Sequence, residues 1–159
     1  MIRRIDEKDW ERLRDVRLRA LSTDPAAFIE THENAASHPD DRWRERATPT
    51  DRQASFAYER AGRFDGLVSC FLADDPAPAF LVAMWVAPDL RGTGAARALV
   101  EAVLRWAREA GAARVCLSVE GDNPRAARLY EKCGFAETTN PPPFPYDVNP
   151  GSRFYVYEL

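Results

Sequence analysis

Hydrophobic and polar positions in the first part of the chain recur with the spacing of a strand followed by a helix. Residues 1–5 have the length of a short strand, and Asp6 then caps a helix. The apolar positions of this helix are Trp10, Leu13, Val16 or Arg17, Leu18 and Leu21. We expect this helix to cover one face of a sheet.

Two proline-marked helix starts and a hairpin follow. Asp24-Pro25 begins a second predicted helix that runs through Ile29, and His38-Pro39 begins a third that carries Trp43. We expect these two helices to line the mouth of a site. Residues 53–59 and 67–73 are alternating or apolar runs with glycines between them, which predicts an antiparallel hairpin.

The second half of the chain alternates between strand and helix patterns. The predicted strands are 79–86, 115–119, 135–139 and 154–159, and the predicted helices are 93–110, ended by Gly111, and the ten-residue helix after Asn123. Both ends of that last helix are marked, because Asn123 is a preferred N-cap and Gly134 fits the left-handed position beyond a helix end. Residues 140–147 are proline-rich and predict a loop, which is either a connector or a wall of a substrate pocket.

This order of elements predicts one α/β domain over residues 1–159. We expect a mixed, mostly antiparallel sheet with helices on both faces. Such sheets bind ligands where neighbouring strands diverge, at the carboxyl ends of parallel strands. Here that position is the gap after Val86 and Val119.

Composition narrows the class of protein and of partner. The 159 residues are 45% hydrophobic without an apolar run of about eighteen, and residues 1–9 lack a signal-peptide pattern, so we expect a cytoplasmic protein with no membrane partner. The net charge of −3, with arginines mixed among acids, argues against nucleic acid. Cysteine and histidine spacing predicts buried thiols at Cys70, Cys116 and Cys133, and no metal site.

The glycine-containing turn before the helix at 93–110 has the chemistry of an anion site. The first N–H groups of a helix lack partners within it, and Gly92 and Gly94 carry no Cβ to keep a phosphate away. The helix dipole and Arg91 add positive charge, which favours a diphosphate. Tight strand-to-helix turns also use glycine for steric reasons alone, so this turn does not identify a ligand by itself.

Asn123 and Tyr130 lie on one stripe of the last predicted helix. Seven residues are about two turns, so their side chains are roughly 10 Å apart and one long ligand can contact both. A tyrosine on the inner face of a short helix is also typical of a hydrophobic core.

These two segments together resemble the signatures of the GCN5-related N-acetyltransferase (GNAT) family. Residues 91–96 fit the first signature, in which Gln or Arg is followed by any two residues, then Gly, then any one residue, and then Gly or Ala. Residues 123–135 fit the second signature, which contains Asn, Ala, Leu-Tyr and Gly-Phe in that order. The close match covers roughly residues 80–139, whereas residues 1–79 agree only in their order of elements. Many relatives have glycine at Ala96, but alanine is within the pattern.

The resemblance implies an enzyme that uses acetyl-CoA, releases CoA and splays two parallel strands apart to admit the pantetheine arm. The cofactor-binding residues it implies are Trp85, Val86, Arg91, Gly92, Thr93, Gly94, Ala95, Ala96, Asn123 and Tyr130. Main-chain groups of Trp85 and Val86 would meet the pantetheine and the acetyl carbonyl, and the turn would hold the pyrophosphate. Tyr130 would also be catalytic, as the proton donor to the departing thiolate.

The general base is less clearly marked. Several relatives carry a glutamate in the strand before the second motif helix, and the matching position here is Ser118, which cannot act as a base alone. Glu120 lies two residues further, on the same sheet face if the strand continues, and is our candidate base. The alternative is an exposed acid at a strand end.

The acceptor is expected to be a small-molecule amine. A peptide or protein amine is the alternative, followed by a noncatalytic acyl-CoA-binding module; a nucleotide-binding domain lacks the acid that its pattern requires. The acids that can border an amine site, or else lie solvated at the surface, are Glu30, Glu33, Asp74, Asp75 and Asp147. Family members often dimerise, which leaves a homodimer possible.

Overall fold

The computed structural model describes residues 1–74 and 78–159, and its centre is a seven-stranded sheet in the order β1-β2-β3-β4-β5-β7-β6. The strands are β1 (Ile2–Arg4), β2 (Gln53–Arg60), β3 (Arg63–Leu72), β4 (Ala79–Val86), β5 (Arg114–Val119), β6 (Ala136–Thr138) and β7 (Arg153–Glu158). Neighbouring strands are antiparallel except for the parallel pair β4 and β5. This arrangement confirms the predicted fold class.

Helices cover both faces of the sheet. They are α1 (Trp10–Thr23), α2 (His32–Ala36), α3 (Asp40–Ala47), α4 (Ala95–Glu109) and α5 (Pro124–Lys132). A Cβ on Gly66 of β3 would lie 3.2 Å from Leu99, so that side of the strand faces α4. The next residue of β3, Leu67, points to the opposite side of the sheet and pairs with Trp85 of β4. The Trp85 ring packs beneath Arg19 of α1, so this side faces α1. No helix within the described ranges has the length and apolarity needed to cross a membrane.

Most predicted boundaries agree with the structure to within a few residues. Asp6 does cap a helical segment, but the first turn is a 3₁₀ turn, Glu7–Asp9, that leads into α1. The hairpin turn falls at Ala61 and Gly62, both at positive φ, so β3 begins earlier than predicted. Gly111 ends α4 at a φ of 81°.

The helix predicted after Asp24 is wrong. Pro25–Ala27 forms a single 3₁₀ turn, and Phe28 is extended with φ −129° and ψ 150°. The Asp24 side chain makes no cap hydrogen bond there, because it binds side chains from two distant segments. A short helix, α2, begins instead after Thr31, whose hydroxyl caps it.

The cysteines agree with the prediction of buried thiols at two of three positions. Cys70 and Cys116 are buried, whereas Cys133 is half-buried. Burial raises the pKa of Cys70 to about 12 and that of Cys116 to about 11. These two thiols therefore stay protonated and unreactive at neutral pH.

Candidate functional site

The parallel strands β4 and β5 separate soon after they meet. They pair over only two residues each, 79–80 against 115–116, while β5 stays paired with β7 as far as Val119. A bulge bends β4 further, because Ala83 has a φ of 57° and the register with β3 shifts opposite it. Bulges of this kind re-aim a strand beside a functional site. The predicted gap beyond the carboxyl ends of the two strands is therefore present.

A cleft of about 410 Å³ opens at this gap. The end of β4, the glycine turn, α5 and the segment after α1 form its walls. The predicted cofactor residues that line it are Trp85, Val86, Arg91, Gly92, Gly94, Ala96, Asn123 and Tyr130. Thr93 and Ala95 face away from it: the Thr93 hydroxyl donates to the Leu90 carbonyl at 2.5 Å, and Ala95 is buried in the core.

A smaller cavity of about 80 Å³ adjoins the cleft. The residues common to both are Ala27, Phe28, Met84, Asn123, Ala126 and Tyr130. The smaller cavity adds Ser118 and Glu120 from the end of β5. We call its side of the site the carboxylate end and the opposite side the glycine-turn end. Tyr130 lies between them.

The glycine turn presents unpaired backbone N–H groups to the cleft. Gly92 and Gly94 adopt left-handed conformations, with φ of 80° and 91°, and α4 begins at the next residue. Among the residues that the structure describes, the N–H groups of Gly92, Gly94, Ala96 and Arg97 have no acceptor, and all four residues line the cleft. These donors and the positive end of the α4 dipole form an arrangement whose chemistry suits a phosphate group.

Asp24 holds the glycine turn against the end of β4, a role that the sequence did not indicate. Its Oδ2 accepts hydrogen bonds from Trp85 Nε1 at 2.8 Å and from Arg91 Nη2 at 2.7 Å, and Arg125 lies 3.9 Å from Oδ1. Burial alone raises the pKa of Asp24, but the bonds from Trp85 and Arg91 outweigh it and lower that pKa. The charge of Arg91, expected to face a phosphate, is therefore already paired.

Tyr130 is placed by a helix whose ends were both predicted. The Asn123 side chain accepts a hydrogen bond from the Ala126 N–H at 3.2 Å, and Gly134 has a φ of 102°. The Tyr130 ring is 6% exposed and packs against Phe135, with ring centroids 5.7 Å apart. Burial, with smaller contributions from Cys133 and Tyr146, raises the Tyr130 pKa well above its ordinary value. Its hydroxyl therefore stays protonated at neutral pH.

Glu120 is buried and not an exposed acid at a strand end. Its exposure is 7%, and its two carboxylate oxygens accept hydrogen bonds from Ser118 Oγ at 3.0 Å and Ser152 Oγ at 2.7 Å. The contact with Ser118 agrees with the predicted shared sheet face. Glu120 is thus fixed at the carboxylate end, in the same small cavity as Tyr130.

The proline-rich loop packs on the sheet beside the carboxylate end. The Phe144 ring lies 5.0 Å from Phe80, and Tyr146 packs against the same ring at 6.3 Å. Burial, opposed by the Ser118 hydroxyl, raises the Tyr146 pKa to about 12. Ser152, which follows this loop, donates to Glu120. The loop therefore forms part of the surroundings of Glu120 and is more than a solvated connector.

The acids expected to border an amine site differ in their surroundings. Glu30 is paired with Arg17 and His38, at 3.1 and 3.0 Å. Glu33, Asp74 and Asp147 are exposed at the surface. Asp75 lies outside the described residues. Glu120 is the one acid among the described residues that line the smaller cavity with Tyr130, and Glu30 is already matched by cations.

Comparison with known proteins gives a consistent result over most of the chain. A family model described as the acetyltransferase (GNAT) family matches residues 10–135. An N-acetyltransferase of Mycobacterium tuberculosis, of uncharacterised function, is 39% identical over 84 residues, which are 53% of this chain and 53% of that protein. A mycothiol acetyltransferase of Nocardiopsis dassonvillei is 53% identical over 51 residues, 32% of this chain and 16% of that protein.

The chain thus spans about half of one of these relatives and a smaller part of the other. Among solved structures, yncA of Salmonella typhimurium, a putative acetyltransferase with its cofactor acetyl-CoA, superimposes with a TM-score of 0.75 at 22% identity. That match covers 100% of this chain and 93% of the other. At this identity the likeness concerns the fold.

Proposed function

The chain belongs to the acetyltransferase (GNAT) family, and on that premise we propose that it transfers the acetyl group of acetyl-CoA to the primary amine of a small molecule. The amine attacks the thioester directly in a ternary complex, and CoA is the product. One observation carries the proposal: the cleft brings Tyr130 together with four backbone N–H groups that have no acceptor in the described part of the chain, and the smaller cavity joins the same Tyr130 to the fixed Glu120 carboxylate.

The glycine-turn end suits the pyrophosphate of acetyl-CoA. A Cβ added at Gly92 or Gly94 would meet nothing within 4 Å, so the space beside the Cα atoms of this turn is open. Backbone donors bind phosphate without a counter-charge of their own, which fits a turn whose Arg91 is already paired with Asp24. Trp85 and Val86 at the end of β4 then lie along the path of the pantetheine, with Asn123 on the other side.

Tyr130 is the proposed general acid. When acetyl-CoA is bound, the departing sulfur needs a proton, and a buried phenol that remains protonated supplies one. Tyr130 lines both the cleft and the smaller cavity, so it lies where the thioester and the amine meet in this proposal. Backbone N–H groups near the bend of β4 would stabilise the oxyanion that forms on the acetyl carbonyl.

Glu120 is the proposed general base. An amine is protonated at neutral pH and must lose a proton before it attacks. Each Glu120 oxygen accepts one serine hydrogen bond, and an ionised carboxylate has about four acceptor sites, so capacity remains for the ammonium or for a water that relays its proton. The serines orient the carboxylate without neutralising it.

A small molecule fits the carboxylate end better than a peptide chain. A peptide acceptor requires an open groove, whereas the loop at 140–147 packs Phe144 and Tyr146 on Phe80, and Ser152 ties the adjoining segment to Glu120. The cavity that Glu120 shares with Tyr130 measures about 80 Å³, the scale of a few heavy atoms, while Glu120 also lines an open cavity of about 520 Å³ that can hold the rest of an acceptor. This supports an acceptor that inserts one amine-bearing arm.

The first test is the melting temperature with and without saturating acetyl-CoA, with free CoA, ATP and NAD as controls. Ligand at about 100 times its Kd stabilises by roughly 2.7 kcal/mol, which raises the midpoint by several degrees for a chain of this size. We expect a rise with acetyl-CoA and CoA alone, followed by thiol release with small amines. No rise with either would contradict the proposed cofactor.

A further inference from the structure

A cluster of charged side chains lies between α1, α3 and the segment before α2, in contact with Phe28 of the site. Two arginines, Arg17 and Arg46, face the same oxygen of Glu30, at 3.1 and 3.6 Å. His38 occupies the other carboxylate oxygen at 3.0 Å. The three ionised groups, two guanidinium groups and one carboxylate, sum to one positive charge. Among the ion pairs within the described ranges, these two arginines have no other acidic partner.

Arg17 is the unusual member of this cluster. It is 7% exposed, and its Nη1 is buried with no hydrogen-bond partner in the part of the chain that the structure describes. Nearly all buried side-chain donors in proteins have a partner, and a charged donor without one is especially costly. Burial is the largest effect on the Arg17 pKa and lowers it. Glu30 opposes this effect, whereas the neighbouring Arg46 adds to it, and the pKa remains lowered. Burial and the neighbouring Arg46 thus disfavour the charged form of Arg17, and an anion beside the free Nη1 would offset this cost.

The cluster borders the site through Phe28. The Arg17 guanidinium carbon lies 4.8 Å from the centre of the Phe28 ring, and Phe28 lines both the cleft and the smaller cavity. Phe28 thus separates the Arg17 guanidinium from both cavities, and an acceptor group that reaches Arg17 has to pass the edge of this ring.

From these contacts we propose that Arg17 and Arg46 bind a carboxylate of the acceptor, so that the substrate is an amine that also carries a negative charge. A guanidinium matches a carboxylate with two parallel N–H donors, and Glu30 occupies only part of that capacity. One surplus positive charge matches one carboxylate better than a phosphate, which carries up to two negative charges. The inference rests on the proposed acetyl transfer, and it reverses the expectation that Glu30 attracts a cationic substrate.

The test uses acceptor pairs that differ only in charge. The probes are ω-amino acids from glycine to 6-aminohexanoate and the carboxamide of each, added at constant ionic strength to the protein saturated with CoA. Melting temperature then reports binding without requiring turnover. We expect at least one acid to bind about tenfold or more tighter than its amide, the lower limit for a hydrogen bond to a charged group.

Variants of the cluster should change the ratio of acid affinity to amide affinity in opposite directions. Arg17→Met should bring the affinities for acid and amide together, and Arg46→Met should reduce their ratio in part. Glu30→Gln should increase the ratio, because it removes the competing carboxylate. Arg12→Met is the matched control: it lies on the same helix and is ion-paired with Glu59 at 2.7 Å, so the ratio should not change.

The outcomes separate this inference from the proposed function. If every amide binds as tightly as its acid while CoA still stabilises the protein, the carboxylate site is wrong and the cofactor proposal stands. If Arg17→Met and Glu30→Gln move the ratio in the same direction, the cluster is structural and the inference fails. Loss of the CoA effect itself would contradict the proposed function.

Discussion

Replacing Tyr130 with phenylalanine should separate catalysis from stability. Among the described residues the Tyr130 hydroxyl has no hydrogen-bond partner, while its ring packs against Phe135 and Tyr155 at 5.7 and 6.4 Å. Phenylalanine keeps both ring contacts. Removing a hydroxyl that makes no hydrogen bond is close to neutral, so we expect the free energy of unfolding to change by less than about 0.5 kcal/mol.

The effect on turnover should be much larger. General acid catalysis contributes about 10²–10⁴-fold to a rate, which is roughly 2.7–5.4 kcal/mol of activation free energy. Burial raises the Tyr130 pKa, which keeps the phenol protonated but also makes it a weaker acid. We therefore expect the lower end of that range, a decrease in kcat of about a hundredfold in Tyr130→Phe. The KM for acetyl-CoA should stay nearly constant.

The measurement is steady-state thiol release with the best acceptor amine at saturating acetyl-CoA. Tyr155→Phe is the matched control: Tyr155 belongs to the same ring stack, and its hydroxyl is buried without a partner in the described part of the chain, away from the cavities that Tyr130 lines. Its kcat should match the wild type. A kcat for Tyr130→Phe within twofold of wild type would refute the assignment, and equal losses in both variants would show an effect of packing alone.

Three further substitutions test other parts of the site. Glu120→Gln should lower kcat/KM by about a hundredfold while leaving the melting shift with acetyl-CoA unchanged; a kcat/KM within twofold of wild type would exclude Glu120 as the base. Asp24→Asn should cost about 1–3 kcal/mol in urea unfolding at neutral pH. Because the folded pKa of Asp24 is lowered, this contribution exists above its unfolded pKa and is lost as the pH falls through the folded pKa, so wild type and variant should converge in acid. Gly94→Ala forces alanine to a φ of 91°, for which we expect a loss of about 1–2 kcal/mol in stability and a smaller melting shift with acetyl-CoA; an unchanged shift would argue against phosphate binding there.

The parts of the site set by local chemistry could be predicted from the sequence. Asn123 caps α5 and Gly134 follows its end because these residue types suit those backbone positions in almost any protein. The glycine turn follows from the same reasoning. These are short-range rules, and they place Tyr130 on its helix before any tertiary contact is known.

The contacts of Asp24 could not be predicted in this way. An aspartate before a proline is a common helix start, yet Asp24 binds Trp85 and Arg91, which are 61 and 67 residues away in sequence. The energy of those two bonds exceeds that of one cap, so the local preference gives way and only a 3₁₀ turn forms. The sign of the charge near Glu30 depends in the same way on Arg17 and Arg46, which only the fold brings to it.

The two ends of the site therefore use different sources of positive charge. At the glycine-turn end, Asp24 pairs with Arg91, so in the proposed complex the attraction for phosphate comes from backbone N–H groups and the α4 dipole, which changes of charged side chains leave in place. On the proposed acceptor side, behind Phe28, the positive charges of Arg17 and Arg46 together exceed the negative charge of Glu30. Binding of acetyl-CoA should thus tolerate changes in surface charge, whereas the choice of acceptor should change with one or two side chains. That division lets a single fold keep its cofactor while its acceptor specificity evolves.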